Sequence, residues 1–130
     1  MEQNQSGTPS NLQGRMIGAS LTTNQSEDVR DFYKEVIGWE HIEVSQGDHS
    51  DYRKTTPDGQ FMAGVHHPAG MFSGLPPVWV PTFLVSDLRA SLEWCRKLGG
   101  NVLMEPMNYE KNSGAVIEYP AGAICGLCQI

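Results

Sequence analysis

Few side chains in this sequence have the types and spacing that chemistry needs. His66 and His67 are adjacent, and successive side chains on a strand point to opposite faces, so the two cannot grip one ion together. The plain reading is one histidine in a cavity wall or at the surface and one in a loop. The sharper reading makes His66 a hydrogen-bonding residue or a general base, both roles open to imidazole near neutral pH. Cys125-Gly126-Leu127-Cys128 has the spelling of a CxxC motif. A redox or zinc CxxC needs a helix start or a knuckle on which both sulfurs converge, whereas on a strand positions i and i+3 diverge. Glu118 lies among Val116, Ile117 and Tyr119; it is an acid or base if buried, and an edge or interface residue if exposed. Tyr52, Met62, Met71, Trp79 and Trp94 are able to contact a planar ligand, although aromatic residues are ordinarily core or interface residues. No Walker loop, GxGxxG, HExxH or GxSxG occurs, which sets those chemistries aside.

The elements that must position these residues come in two similar rounds. Ile17, Ala19 and Leu21 alternate with Gly18, Ser20 and Thr22, the period of a strand. Val29, Phe32, Tyr33, Val36 and Ile37 then form one stripe of an amphipathic helix, with Asn24 and Glu27 spaced as a capping box, Ser26 as an alternative cap, and Gly38 at the end. Strands follow over 39–45, 52–56 and 60–66, the last two joined by the turn Pro57-Asp58-Gly59. After a Gly- and Pro-rich connector the order returns: a strand over 78–85, a helix capped by Ser86 with Leu88, Leu92, Cys95 and Leu98 inward, then strands over 101–105, 115–119 and 123–130. Phe32 and Tyr33 are expected in the core. Met71, Phe72 and Leu75 of the connector either lid the cavity or pack against another subunit, and the interface is favoured.

The chain has 130 residues, enough for one domain with a real core. Nine Lys and Arg against fifteen Asp and Glu leave a net charge of −6, which argues against nucleic acid and anionic membranes and leaves neutral or cationic small molecules open. No apolar run approaches the ~20 residues of a membrane-spanning helix. The opening residues lack the pattern of a secretory signal, and three cysteines are an odd count, so a cytoplasmic protein is expected. Residues 1–14 are polar and read as a tail.

The residues that repeat most tellingly are Asp31-Phe32-Tyr33 with Val36-Ile37-Gly38-Trp39, then Val85-Ser86-Asp87-Leu88 with Leu98-Gly99-Gly100, and finally Tyr119-Pro120-Ala121-Gly122-Ala123. In order and spacing they resemble the vicinal oxygen chelate superfamily, which includes glyoxalase I, bleomycin-resistance proteins and extradiol dioxygenases. The resemblance covers residues 16–130 and implies an α+β fold of tandem βαβββ modules, forming a cupped, mostly antiparallel eight-stranded sheet with the helices outside. On that reading residues 15–130 form the domain, with a first module at 15–66, a connector at 67–77 and a second module at 78–130. The resemblance also implies a ligand inside the cup, usually on a divalent metal held by His, Glu or Gln at four strand positions.

Those positions fall at Gly18, Gly64, Val80 and Gly126, none of which has a metal-binding side chain. Alternation divides the four strands concerned into two faces. Ile17, Ala19, Leu21, Phe61, Ala63, Val65, Trp79, Pro81, Phe83, Cys125 and Leu127 are expected under the helices, and their neighbours line the cavity. The expected ligand-binding residues are Gly18, Ser20, Tyr52, Met62, Gly64, His66, Val80, Thr82, Glu118, Gly126 and Cys128, with no metal, no cofactor and no assigned catalytic residue. The function expected is metal-independent small-molecule binding by a homodimer. The alternatives are a metal-dependent lyase, isomerase or dioxygenase with a displaced site at His66, Glu118 and Cys128, and a structural or regulatory dimer with a filled cup.

Overall fold

Both rounds of strand, helix and three strands form. The computed structural model describes residues 12–130, so residues 1–11 of the expected tail lie outside the described residues. In chain order the elements are β1 (Met16–Thr22), α1 (Ser26–Ile37), β2 (Glu40–Ser45), β3 (Ser50–Thr55), β4 (Phe61–His66), β5 (Trp79–Val85), α2 (Leu88–Lys97), β6 (Asn101–Met104), β7 (Gly114–Glu118) and β8 (Ile124–Gln129). A short 3-10 turn occupies Gly70–Phe72 within the connector. The chain forms two compact units, Gly18–Val80 and Pro81–Ile130, the second joined by the N-terminal stretch as far as Ile17. Strand order is β2-β3-β4-β1 in the first and β5-β8-β7-β6 in the second. Each set has two antiparallel pairs and one parallel pair, so the expected α+β class with mostly antiparallel strands is what forms. No helix among the described residues is long and apolar enough to cross a membrane.

In the second unit α2 packs on β6, β7 and β8. Val85, Leu88, Leu92, Ala115 and Leu127 are buried together, with Phe83, Val102, Tyr109, Ile117 and Cys125 against them. The helix starts at Asp87 rather than Ser86: its Oδ1 accepts from the Ala90 N–H at 3.0 Å, the reach of an N-cap side chain to the third helical residue. Leu98, expected inward, is 70% exposed, because the helix has ended and turned by Lys97. The end of the supposed tail belongs to this unit: Gly14 N–H donates to Leu84 O at 2.7 Å, and Gln13 Oε1 accepts from Ser86 N–H.

The first unit corrects a larger expectation. Helix α1 packs on β2, β3 and β4, but Phe32, Val36 and Ile37 are exposed. The inward stripe runs instead through buried Ser26 and half-buried Arg30 and Tyr33, because the sheet beneath presents polar-tipped side chains. Lys54 is fully buried, and its Nζ donates to Arg30 O at 3.0 Å. The Tyr52 hydroxyl meets both Arg30 and Glu27. Tyr33 packs against Trp39 and Trp79 and accepts a hydrogen bond from Trp79 Nε1. No side chain caps the start of α1, where Gln25 is the N-cap; Gly38 ends it at φ 87°, as its lack of a Cβ permits.

Candidate functional site

Register divides the first unit into two faces. The pairs Ala19–Ala63, Leu21–Val65, Tyr52–Val65, Lys54–Ala63 and His41–Lys54 put these residues on the face under α1. Ser20, Thr22, Asp51, Arg53, Gly64 and His66 alternate with them and share the opposite face.

Tyr52 is therefore placed away from the other candidates. It is 3% exposed on the helix side, and burial, with a hydrogen bond to Glu27, raises its hydroxyl pKa above the ordinary value. The expected order at the start of β4 is also reversed. Lys54 pairs with Ala63 and Thr55 with Phe61, leaving Met62 as the extra residue of a bulge. Past it Phe61, expected under the helix, lies on the face opposite α1. Its ring lies under the Arg53 guanidinium at 5.0 Å and crowds Gly18, where an added Cβ would stand 3.2 Å from Phe61 Cε2.

His66 is held on three sides. Its Nδ1 lies 3.3 Å from Asp51 Oδ2, and the other Asp51 oxygen accepts from His67 N–H at 2.9 Å. The Phe72 ring stacks on the imidazole at 4.4 Å with 8° between planes. Nε2 reaches over Gly64, where an added Cβ would stand 2.9 Å away. Phe72 thus covers the sheet face of its own unit. His49 completes the surround, stacked on His67 at 4.7 Å, with Nε2 3.9 Å from Asp51 Oδ1.

In the second unit the face away from α2 carries Thr82, Leu84, Gly114, Val116, Gly126 and Cys128. Thr82 Oγ1 occupies the space over Gly126, 2.7 Å from where a Cβ would be. Cys125 packs with the core while Cys128 lies on the opposite face, so the two sulfurs diverge. Burial raises both thiol pKa values. Glu118 accepts from Asn101 Nδ2 at 3.2 Å near one end of β7. Cys128 pairs with Gly114 at the other end, about 13 Å away at ~3.3 Å per residue. Glu118 and Cys128 cannot share an ion. Among the described residues no three His, Cys, Asp or Glu side chains converge to hold a metal. Val80, the remaining ligand position, is 3% exposed.

Sequence reasoning missed Asp51, Arg53 and His49. A strand begun at Tyr52 leaves Asp51 in a loop, and a Tyr52 turned to the ligand forces Asp51 and Arg53 under the helix. The signal was present in Asp51 and Arg53 themselves, polar at alternate positions around an aromatic residue.

No family model matches this sequence. Among curated proteins it is similar to the anthracycline biosynthesis protein DnrV of Streptomyces peucetius, 31% identical in an alignment 106 residues long that covers 72% of this chain and 38% of that protein. It is also similar to "Putative glyoxylase CFP32" of Mycobacterium tuberculosis, 28% identical over 120 residues, 90% of this chain and 46% of that protein. The chain thus spans less than half the length of these relatives. Among solved structures, a glyoxalase/bleomycin resistance protein/dioxygenase superfamily member from Vibrio splendidus matches with TM-score 0.59 at 15% identity, over 89% of this chain and all of that one. The methylmalonyl-CoA epimerase of Mycobacterium tuberculosis matches with TM-score 0.55 at 16% identity, over 89% of this chain and 87% of that one.

Proposed function

From the premise that the chain has the fold of the vicinal oxygen chelate superfamily, we propose that it is a small-molecule-binding protein of the glyoxalase/bleomycin-resistance type that works without the metal such folds commonly hold. The carrying observation is the fate of the four ligand positions. Gly18, Gly64, Val80 and Gly126 offer no donor, and the chain's own side chains fill the space over three of them: Phe61 over Gly18, His66 over Gly64 and Thr82 over Gly126. A metal ligand introduced at 64 or 126 would have to displace its neighbour before reaching an ion. The residues do not fit a divalent cation, and no step is assigned to one.

The ligand meets the face of the first unit that bears His66, Asp51 and Arg53. Two features support a homodimer as part of this reading: Phe32, Val36 and Ile37 stand exposed on α1, and the matching relatives have more than twice the length matched here. Three free thiols suit a cytoplasmic setting.

Metal analysis and a thermal-shift screen test the proposal together. We expect less than about a tenth of an equivalent of Fe, Mn, Ni or Zn after native purification, and at least one small organic compound that raises the melting temperature with EDTA present. Stoichiometric divalent metal, or a screen without any stabilising compound, would overturn the reading. Light scattering at twice the 14.3 kDa chain mass would bear out the dimer, and a monomer would remove that part alone.

A further inference from the structure

Building on the homodimer reading above, we infer that two copies of the chain meet helix to helix. The Phe32–Val36 stripe of α1 in one copy docks on the Trp94–Leu98 stripe of α2 in the other, with Glu35 set against Lys97.

The repeat itself points to this surface. Ser26 opens α1 and Leu88 opens α2, and both are buried. Counted forward from these two, Phe32 corresponds to Trp94, Val36 to Leu98 and Glu35 to Lys97. At about 100° per residue the aromatic position lies some 120° round each helix from its buried opening residue. Phe32 and Trp94 are each 57% exposed, Val36 is 62% exposed and Leu98 70%. Isolated apolar residues on a surface are ordinary. An aromatic and an aliphatic residue one turn apart, open at the same place on both helices of a repeat, form a surface that a partner covers.

Charge decides which stripe meets which. Lys34 and Arg96, another matched pair, are each held by a carboxylate of their own unit, Glu40 and Glu105. Glu35 and Lys97 are left over, for neither is in an ion pair among the described residues. Asp28, one turn before Phe32, is a second carboxylate without an ion pair beside the α1 stripe. On α2 the Lys97 ammonium lies over the Trp94 ring, 4.8 Å from its centroid, so the cation is held at the stripe.

Two α1 stripes face to face would bring carboxylates against carboxylates, and two α2 stripes would bring lysine against lysine. In a chain of net charge −6, the crossed contact alone sets apolar on apolar with opposite charges at the edge. Matched positions give the two stripes the same spacing along their helices, as packing of side-chain ridges requires. In a twofold dimer the contact is made twice, α1 on α2 and α2 on α1.

Sedimentation equilibrium of the intact chain reads the dissociation constant. Glu35→Lys and Lys97→Glu should each weaken association about tenfold or more, because each sets like charges together. The two combined should return it to within about threefold of wild type. Phe32→Ser and Trp94→Ser should each weaken it about a hundredfold, with circular dichroism unchanged because both side chains are exposed. In a mixture of isotope-labelled and unlabelled chains, a carbodiimide should join Glu35 of one population to Lys97 of the other. Single reversals that weaken association without rescue by the double variant overturn the pairing, as does equal weakening by Glu93→Lys, about 100° round α2 from Trp94. A dimer unmoved by any of these changes overturns the surface and leaves the dimer standing, whereas a monomer at millimolar concentration removes both. Small-molecule binding is read separately in the thermal-shift screen, so neither result bears on it.

Discussion

The two units repeat one order of elements around different interiors. The second is filled by Val85, Leu88, Leu92, Ala115 and Leu127. Every buried polar or charged residue among the described residues lies in the first: Thr22, Ser26, Asp51, Lys54 and Thr55. Buried polar groups cost stability unless they are hydrogen-bonded, and the first unit leaves Ser26 Oγ and His41 Nδ1 without partners. A repeat that keeps one half apolar and the other polar separates scaffold from chemistry. The His66–Asp51 pair is on the polar side.

The largest effect that would sharpen this contrast is a truncation in the apolar unit. Leu92 is 1% exposed in a cluster with no polar member, so Leu92→Ala should cost about 2–5 kcal/mol through lost transfer energy and a residual cavity. Urea denaturation measures it. A cost below about 1 kcal/mol would mean that this core is loosely packed and the contrast false.

Lys54 tests the polar side with the opposite sign. Its ammonium is fully buried and has a single hydrogen bond, to Arg30 O. Burial, with Lys34 and Arg30 nearby, lowers its pKa. Lys54→Met keeps the aliphatic stem and removes the charge, so it should stabilise the protein by about 1–3 kcal/mol. The pH dependence has a definite sign. A lowered folded pKa means that the folded chain binds fewer protons than the unfolded one between the two values, so wild-type stability rises with pH across that window. The variant should lack that rise. A destabilised Lys54→Met would show that the hydrogen bond to the helix outweighs the burial of charge.

How much of this was readable from the sequence differs between the units for the same reason. In the second unit alternation and the helical stripe agree, so Leu88, Leu92 and Leu127 read correctly as core. In the first, apolar periodicity picked Phe32, Val36 and Ile37 as the inward face of α1. The helix is turned toward the polar tips of Tyr52 and Lys54 instead, and hydropathy does not register a lysine that buries its stem. The bulge at Met62 reversed Phe61 with no glycine or proline to announce it. The face of His66 was legible because strand parity fixes it, whereas the four donor-free positions came from the family resemblance. Asp51 and Arg53 were not, since their face depends on which way Tyr52 points.

His41 gives a smaller effect on the same side. Burial first, and Lys54 next, lower its pKa, so its neutral form suits the fold. As pH falls below about 6.5 the unfolded chain takes up the proton first, and stability declines by at most about 1.4 kcal/mol per pH unit until the folded form also protonates. His41→Phe keeps the ring against Tyr52, 5.6 Å between centroids in the wild type, and should flatten this part of the acid limb. An unchanged slope would assign the decline to other groups.

The smallest expected effect concerns the thiols of the apolar unit. Cys125 and Cys128 both have pKa values raised by burial, and reaction with an alkylating agent proceeds through the thiolate. At pH 7.5 both should be labelled several-fold more slowly by iodoacetamide than glutathione is, with mass spectrometry assigning the sites. Because the two side chains leave β8 on opposite faces, mild oxidation should not join them, and the chain mass should show no loss of two hydrogens. Rapid labelling, or an intramolecular disulfide, would give the second unit a reactivity of its own and end the division between an inert half and a reactive one.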